Sequence, residues 1–322
     1  MARIGILGAG GMGNTHARHY RGLGTVDLAI FDVDTEKARR LSDVFEAELA
    51  SSFDELLQSC DAIDVCLPTD LHTTFALQSI SAKKPTFVEK PIAGTLAEAA
   101  SVVLAADAGG VPVMVGQVVR YFPDFRRGHD MVVAGKVGKP AAARMRRGGG
   151  PPRAEWFLDH EKSGGVLIDL AVHDFDWLRW TLGEVTQVYS RSVGAQRGHG
   201  VDYALTTLSF ESGAVAHVES TWMDPSGFRC TFEVCGSDGM IEFDSRNVAS
   251  LRTHASGGSR SESLYAESDD PYRCQLRDFV EVVVGGGTPP VTALDGYAAV
   301  AISIAALESA RTGRVVTPSR HP

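Results

Sequence analysis

Apolar positions in the first third of the chain fall into short unbroken runs separated by stretches with helical spacing. The run Arg3-Ile4-Gly5-Ile6-Leu7 is rich in strand formers, and residues 14–22 behind it carry helical periodicity. The alternation continues, with strands expected at 26–31, 62–67, 86–88 and 111–115 and helices at 35–45, 52–59, 72–82 and 95–108. Strands alternating with helices of this length predict a parallel, doubly wound sheet. Ligands of such sheets lie outside the carboxyl ends of the strands. Leu67-Pro68-Thr69, Glu89-Lys90-Pro91 and Gly116-Gln117 fall at those ends and are expected to border one.

The pattern changes after Arg120. Arg120-Tyr121-Phe122-Pro123 marks a boundary between a domain at 1–120 and another at 121–322. A helix is expected at 124–134. Residues 144–152, rich in Arg, Gly and Pro, read as a mobile loop leading to Trp156, Asp159 and His160, and a lid is one use of such a loop. A helix at 169–182 precedes strand-like runs at 187–195, 203–210, 214–222, 229–235 and 240–244. Glu211-Ser212-Gly213 and Gly236-Ser237-Asp238-Gly239 punctuate them as hairpin turns, which predicts a large, mainly antiparallel sheet with one open face. Residues 256–263 read as a polar loop tip, and helices at 273–284 and 298–310 close the chain, the last expected to pack back on the first domain.

Charge and cysteine usage exclude some partners. Thirty-one Lys and Arg against 40 Asp and Glu leave a formal net charge of −9, which argues against nucleic acid. No apolar run approaches the roughly 18 residues of a membrane span. Cysteines at 60, 66, 230, 235 and 274 form no Cys-x-x-Cys pair and no zinc-type spacing with histidine, so no metal is expected. Buried thiols fit a reducing compartment, and the start of the chain has neither a basic n-region nor a cleavage site. A cytoplasmic location is the expectation.

Gly8-Ala9-Gly10-Gly11-Met12-Gly13 stands between the first strand and the first helix, the context that gives G-x-G-x-x-G its meaning. Gly8 permits the tight turn, Gly10 admits a pyrophosphate close to the backbone, and Gly13 lets helix and strand pack closely. Gly11 and Met12 complete the turn that leads into the helix N-terminus, where free N–H groups favour anions. Asp32 ends the second strand 19 residues after Gly13. An acid there accepts adenosine ribose hydroxyls and repels a 2′-phosphate, so NAD is expected over NADP. The chain thus reads as an α/β Rossmann N-terminal domain followed by an α+β C-terminal domain.

The glycine motif, the segment Cys66-Leu67-Pro68-Thr69-Asp70-Leu71-His72 and Glu89-Lys90-Pro91 together resemble the Gfo/Idh/MocA oxidoreductase family. Gly164-Gly165-Val166-Leu167-Ile168-Asp169-Leu170-Ala171-Val172-His173-Asp174-Phe175-Asp176 resembles the family's second signature, in a form closest to inositol dehydrogenases. Pro68, Thr69, His72, Glu89, Lys90 and Gln117 would accordingly join Gly8, Gly10, Gly11, Met12, Gly13 and Asp32 in binding the cofactor. The resemblance implies a catalytic set of Lys90, Asp169 and His173, with Arg120, His160 and Asp176 also facing substrate. It further implies a homodimer or homotetramer formed through the open face of the C-terminal sheet.

The residues support that chemistry on their own terms. Oxidising an alcohol needs a hydride acceptor and a base for the hydroxyl proton. Lys90 at a strand end can polarise the reacting oxygen. Asp169 and His173 stand four apart, which on one helix puts them on a shared face where the carboxylate orients the ring, and Asp176 follows three later. The expected function is NAD-dependent hydride transfer from a secondary alcohol of a cyclic polyol or sugar. The alternatives are an NAD-retaining glycosidase-type enzyme and a non-catalytic cofactor-sensing regulator on the same fold.

Overall fold

The computed structural model describes residues 1–150, 157, 159–194, 201–247, 250–255, 258–262 and 270–322. The chain forms two compact units, one of Met1–Tyr121 with Asp269–Tyr297, the other of Phe122–Ser268 with Ala298–His321. The return to the first unit at Asp269 is something a single division at residue 120 does not provide for.

The first unit runs β1 (Ala2–Leu7), α1 (Gly11–Leu23), β2 (Val26–Phe31), α2 (Thr35–Phe45), β3 (Glu48–Leu49), α3 (Phe53–Ser59), β4 (Ala62–Val65), α4 (Thr69–Ser81), β5 (Thr86–Val88), α5 (Leu96–Gly109) and β6 (Val113–Val115), then a 3-10 turn at Val118–Tyr121. Its six strands lie in the order β3-β2-β1-β4-β5-β6, every pairing parallel. The order reverses between β1 and β4, the switch point at which such sheets bind ligands. Local chemistry sets several helix starts. The Ser52 side chain accepts the Glu55 N–H, and Thr95 and Glu98 form a reciprocal capping box. Helices α1 and α4 begin earlier than the periodicity indicated, at Gly11 and Thr69 rather than 14 and 72. Their N-termini therefore lie at the ends of β1 and β4. Strand β3 went unforeseen because two residues carry no periodic signal.

The second unit runs α6 (Pro123–Val133), β7 (Pro140–Gly148), α7 (His160–Ser163), α8 (Gly165–Asp169), α9 (Val172–Leu182), β8 (Val185–Gly194), β9 (Val201–Phe210), β10 (Val215–Thr221), β11 (Arg229–Gly236), β12 (Gly239–Asp244), β13 (Leu251–Ala255) and β14 (Gly258–Glu262). Eight strands pair in the order β14-β13-β12-β11-β7-β10-β9-β8. Six of the seven pairings are antiparallel, as the hairpin turns predict, but β7 and β10 pair in parallel. The mobile loop expected at 144–152 is corrected here, because 144–148 belong to β7 in the interior of the sheet. Residues 151–152 and Trp156 lie outside the described residues. The loop tip expected at 256–263 is likewise replaced in part by β14, with 256, 257 and 263 outside the described residues.

Helix α10 (Pro271–Gly285) belongs to the first unit, and the division between units falls within α11 (Ala293–Thr312). By length and composition alone α11 is apolar enough to cross a membrane, contrary to the reading that no run approaches that length. Its apolar side chains, Tyr297, Ala299, Val300 and Ile302 among them, are buried in the protein.

Candidate active site

In the first unit the glycine motif is built as its spacing requires. Gly8 has φ +106°, and a Cβ there would lie 2.5 Å from the Cys66 carbonyl oxygen. A Cβ on Gly13 would lie 1.9 Å from the Gly8 oxygen, so only glycine lets α1 pack this close to the turn. A Cβ on Gly10 or Gly11 would meet no protein atom within 4 Å, which leaves the helix entrance open to a ligand. No side chain caps α1, and its first turn holds no acid, so its N–H groups and dipole favour an incoming anion. Met12 is part of that first turn. Asp32 stands just past β2, with its carboxylate accepting the N–H groups of Ala9 at 2.7 Å and Asp34 at 2.8 Å. Beside it a hollow of about 250 Å³ is lined by Ala9, Asn14, Lys37, Arg40, Leu41 and Val44.

Other residues expected at the cofactor site also brace the frame. His72 is buried, with Nδ1 2.7 Å from the Pro91 oxygen and Nε2 2.8 Å from the Leu67 oxygen, so both ring nitrogens face main-chain carbonyls. Burial lowers its pKa, and the ring ties two strand-end turns together. Glu89 is also buried and directs Oε1 to within 3.2 Å of His16 Nε2, while Oε2 accepts the main-chain N–H of Lys90 at 3.2 Å. Both side chains thus position the strand-end turns at which a cofactor is expected. Pro68 is the N-cap of α4, and Thr69 opens that helix at the end of β4. Gln117 follows β6 fully buried, and its amide nitrogen and oxygen have no hydrogen-bond partner among the described residues. Arg120 is buried with Nη2 3.3 Å from Asp295 Oδ1, an ion pair that anchors the 3-10 turn to the start of α11. Lys90 is half-buried immediately after β5.

The second unit holds Asp169, His173 and Asp176. The single helix expected at 169–182 is two helices, because α8 ends at Asp169 and α9 begins at Val172. The Ala171 N–H reaches back five residues to the Val166 oxygen at 2.8 Å, which widens the turn at the break. The shared face inferred from their spacing therefore does not follow, and Asp169 is a helix end while His173 lies in a helix first turn. Gly164 and Gly165 have φ +70° and +68°, and a Cβ on Gly164 would lie 2.5 Å from Ile168 Cβ. Asp169 and Asp176 are buried and His173 is half-buried. His160 is the first residue of α7, and its side chain lies outside the described residues.

Helix α9 buries most of its circumference, including Asp174, Phe175, Asp176, Trp177 and Leu178. Trp177 Nε1 donates to the Phe125 oxygen at 2.9 Å, and its ring packs with those of Phe125 and Phe232 at 5.7 and 4.8 Å. Acids in such a helix are costly unless they are paired or used. Asp174 is paired, its Oδ1 accepting from Arg147 Nε at 3.0 Å and Nη2 at 2.7 Å. Burial pushes the Asp174 carboxyl above its ordinary value despite the guanidinium.

Sequence reasoning missed this pair and a second buried group. His16, Asp64 and Cys66 place donor atoms within 4.8 Å of one another, the one such grouping among the described residues able to hold a metal ion. His16 Nδ1 lies 2.8 Å from Asp64 Oδ2, within hydrogen-bonding distance. The signals were present: His16 stands in the inward stripe Gly13, His16, Ala17 and Tyr20, and Asp64 interrupts an apolar strand.

Comparison with known proteins agrees with this geometry. A family profile described as an oxidoreductase family with an NAD-binding Rossmann fold matches residues 2–117, and the GFO/IDH/MocA C-terminal domain matches 125–242. The chain is 30% identical to myo-inositol 2-dehydrogenase of Thermotoga maritima over 98% of both chains. It is 32% identical to scyllo-inositol 2-dehydrogenase (NAD(+)) of Bacillus subtilis, over 80% of this chain and 77% of that protein. Among solved structures, GenD2 from gentamicin A biosynthesis in complex with NAD superposes with a TM-score of 0.89 at 26% identity, covering 99% of this chain and 96% of that one.

Proposed function

The chain belongs to the Gfo/Idh/MocA oxidoreductase family, and from that premise we propose that it oxidises a secondary hydroxyl of a cyclic polyol or sugar, inositol-like in shape, with NAD. The observation that carries the reading is the uncapped, acid-free N-terminus of α1 beside an Asp32 held by two main-chain N–H groups. That arrangement fits a dinucleotide. The open positions at Gly10 and Gly11 leave room for a pyrophosphate, and Asp32 presents a carboxylate for ribose hydroxyls.

When bound, NAD supplies the hydride acceptor for the reaction. The chain's own residues handle the proton and the substrate. In this reading the His173 imidazole takes the hydroxyl proton, and the Asp169 carboxylate orients the ring and stabilises the imidazolium. The Lys90 ammonium polarises the reacting oxygen. Asp176, a buried carboxylate, accepts a neighbouring substrate hydroxyl, and a site built to read a hydroxyl discriminates against analogues that lack it. The same reading places the protein in the cytoplasm as a homo-oligomer joined through the outer face of the C-terminal sheet. Exposed Tyr189, Val193, Leu205 and Val215 on β8–β10 support self-association there.

The test is a panel of inositols, aldoses and anhydrosugars with NAD and NADP, following reduced nicotinamide at mildly alkaline pH. Turnover of at least one cyclic polyol or sugar with NAD is expected, and silence across the panel with NADH still bound would overturn the reading. Asp32→Ser makes a sharper statement about the cofactor. Loss of a charged acceptor should weaken NAD by about 10- to 100-fold and improve NADP relative to it. Lys37 and Arg40 beside Ala9 are placed to meet a 2′-phosphate once the Asp32 charge is gone. An unchanged ratio of kcat/KM for the two cofactors would remove Asp32 from the ribose site.

A further inference from the structure

His16 is wholly buried, with Nδ1 hydrogen-bonded to one carboxylate and Nε2 at ion-pair distance from a second, without hydrogen-bond geometry. Nδ1 lies 2.8 Å from Asp64 Oδ2 on β4, and Nε2 lies 3.2 Å from Glu89 Oε1 just past β5. Glu89 spends its other oxygen on the Lys90 main-chain N–H, at 3.2 Å. Gly116 leaves the space this carboxylate occupies, since a Cβ there would lie 2.8 Å from Glu89 Oε1. Cys66 Sγ completes the group, 3.2 Å from Nδ1 and donating to Asp64 Oδ1 at 3.4 Å.

A protonated imidazole attracts both carboxylates, through a hydrogen bond at Asp64 and by charge alone at Glu89. Burial pulls the His16 pKa down, but Asp64 and Cys66 together outweigh it and hold the ring well above the ordinary histidine value. Burial pushes the Cys66 thiol and the Tyr20 phenol up, so both stay neutral beside it. A buried ionic group of this kind is weak as a source of stability, because desolvation offsets most of the attraction. It does fix geometry, and here it joins the helix that opens on the glycine motif to the turn that carries Lys90.

We infer that His16 is a positioning residue for Lys90, acting through Glu89 to hold the Glu89–Lys90 turn in register with the N-terminal end of α1. The inference rests on the reading of Lys90 as the group that polarises the reacting oxygen. Its test is a double-mutant cycle with NAD and the alcohol identified by the panel, myo-inositol being the first probe. His16→Gln should lower kcat about tenfold or more, leave NADH affinity within about threefold, and add nothing further in a Lys90→Ala background, where no ammonium remains to be positioned. Equal losses in both backgrounds, or NADH binding lost in step with kcat, would overturn the inference. Glu89→Gln, nearly identical in shape, takes the place of His16→Gln in the same cycle if the latter does not fold.

A second readout needs no substrate. In NADH-bound protein, the acetylation rate of Lys90 by acetic anhydride is compared, peptide by peptide, with those of exposed Lys136 and Lys162. A change of about threefold or more at Lys90 alone in His16→Gln supports the clamp, and an unchanged rate overturns it. If Lys90→Ala keeps wild-type turnover, the role given to Lys90 fails, while the labelling rate still decides whether His16 holds the turn.

Discussion

Lys90→Met should reduce kcat by about 10²- to 10⁴-fold, the range typical of losing a positioned polarising or proton-handling group. Methionine keeps the length and apolar stem of lysine and lacks only the ammonium, so the turn after β5 can keep its shape. That turn is held from behind by the Glu89 carboxylate on the Lys90 main-chain N–H, a contact the substitution leaves intact. NADH affinity, followed by fluorescence titration, should therefore change by less than about threefold, because the loss falls on the transition state and not on cofactor binding. A variant with near-wild-type kcat would take Lys90 out of the chemistry. One that loses NADH affinity and kcat in parallel would make it a cofactor contact only.

Asp174→Asn should destabilise the second unit by about 3–5 kcal/mol, the cost of breaking a buried ion pair from one side. Arg147 and Asp174 are both buried, and two guanidinium N–H groups meet the same Oδ1. The guanidinium also lies 5.6 Å from the Phe125 ring centroid. It cannot give up its proton, so the variant must keep a cation in an apolar setting without its carboxylate. The reverse change, Arg147→Met, should cost less. Burial already pushes the Asp174 carboxyl upward, and without Arg147 it can take up a proton and become neutral. Urea denaturation of the two variants side by side checks the order. Equal losses, or a loss under about 1 kcal/mol for Asp174→Asn, would show that the pair is screened.

The asymmetry between those variants illustrates what the sequence conveyed about this region and what it did not. The acids at 169, 174 and 176 and the histidine at 173 were visible as polar residues in an apolar helical stretch, and the glycine pair before them as a forced turn. Their partners were not. Arg147 lies in a segment of Arg, Ala and Gly with little strand propensity, and composition alone assigned it to a loop. Strand β7 forms because β10 and β11 flank it and pair with it on both edges. Burial in the middle of a sheet overrides propensity there. In the same way, the spacing of Asp169 and His173 predicts a common helical face only if the helix is continuous, and the backbone breaks at Leu170 and Ala171.

What the sequence determined by itself is the part that local sterics and periodicity control. Gly8 and Gly13 are required because any Cβ would strike backbone a few residues away or across one strand, and Asp32 stands where the second strand ends. The helix–strand alternation of the first unit and the hairpins of the second follow from patterns readable over ten or fifteen residues. Tertiary structure alone decided the parallel pairing of β7 with β10, the burial of Arg147 on Asp174, and the meeting of His16, Asp64 and Glu89. Those contacts join residues 27 to 73 positions apart in the chain. Their energies come from desolvation and charge pairing in the folded interior, which exist only once the elements have packed.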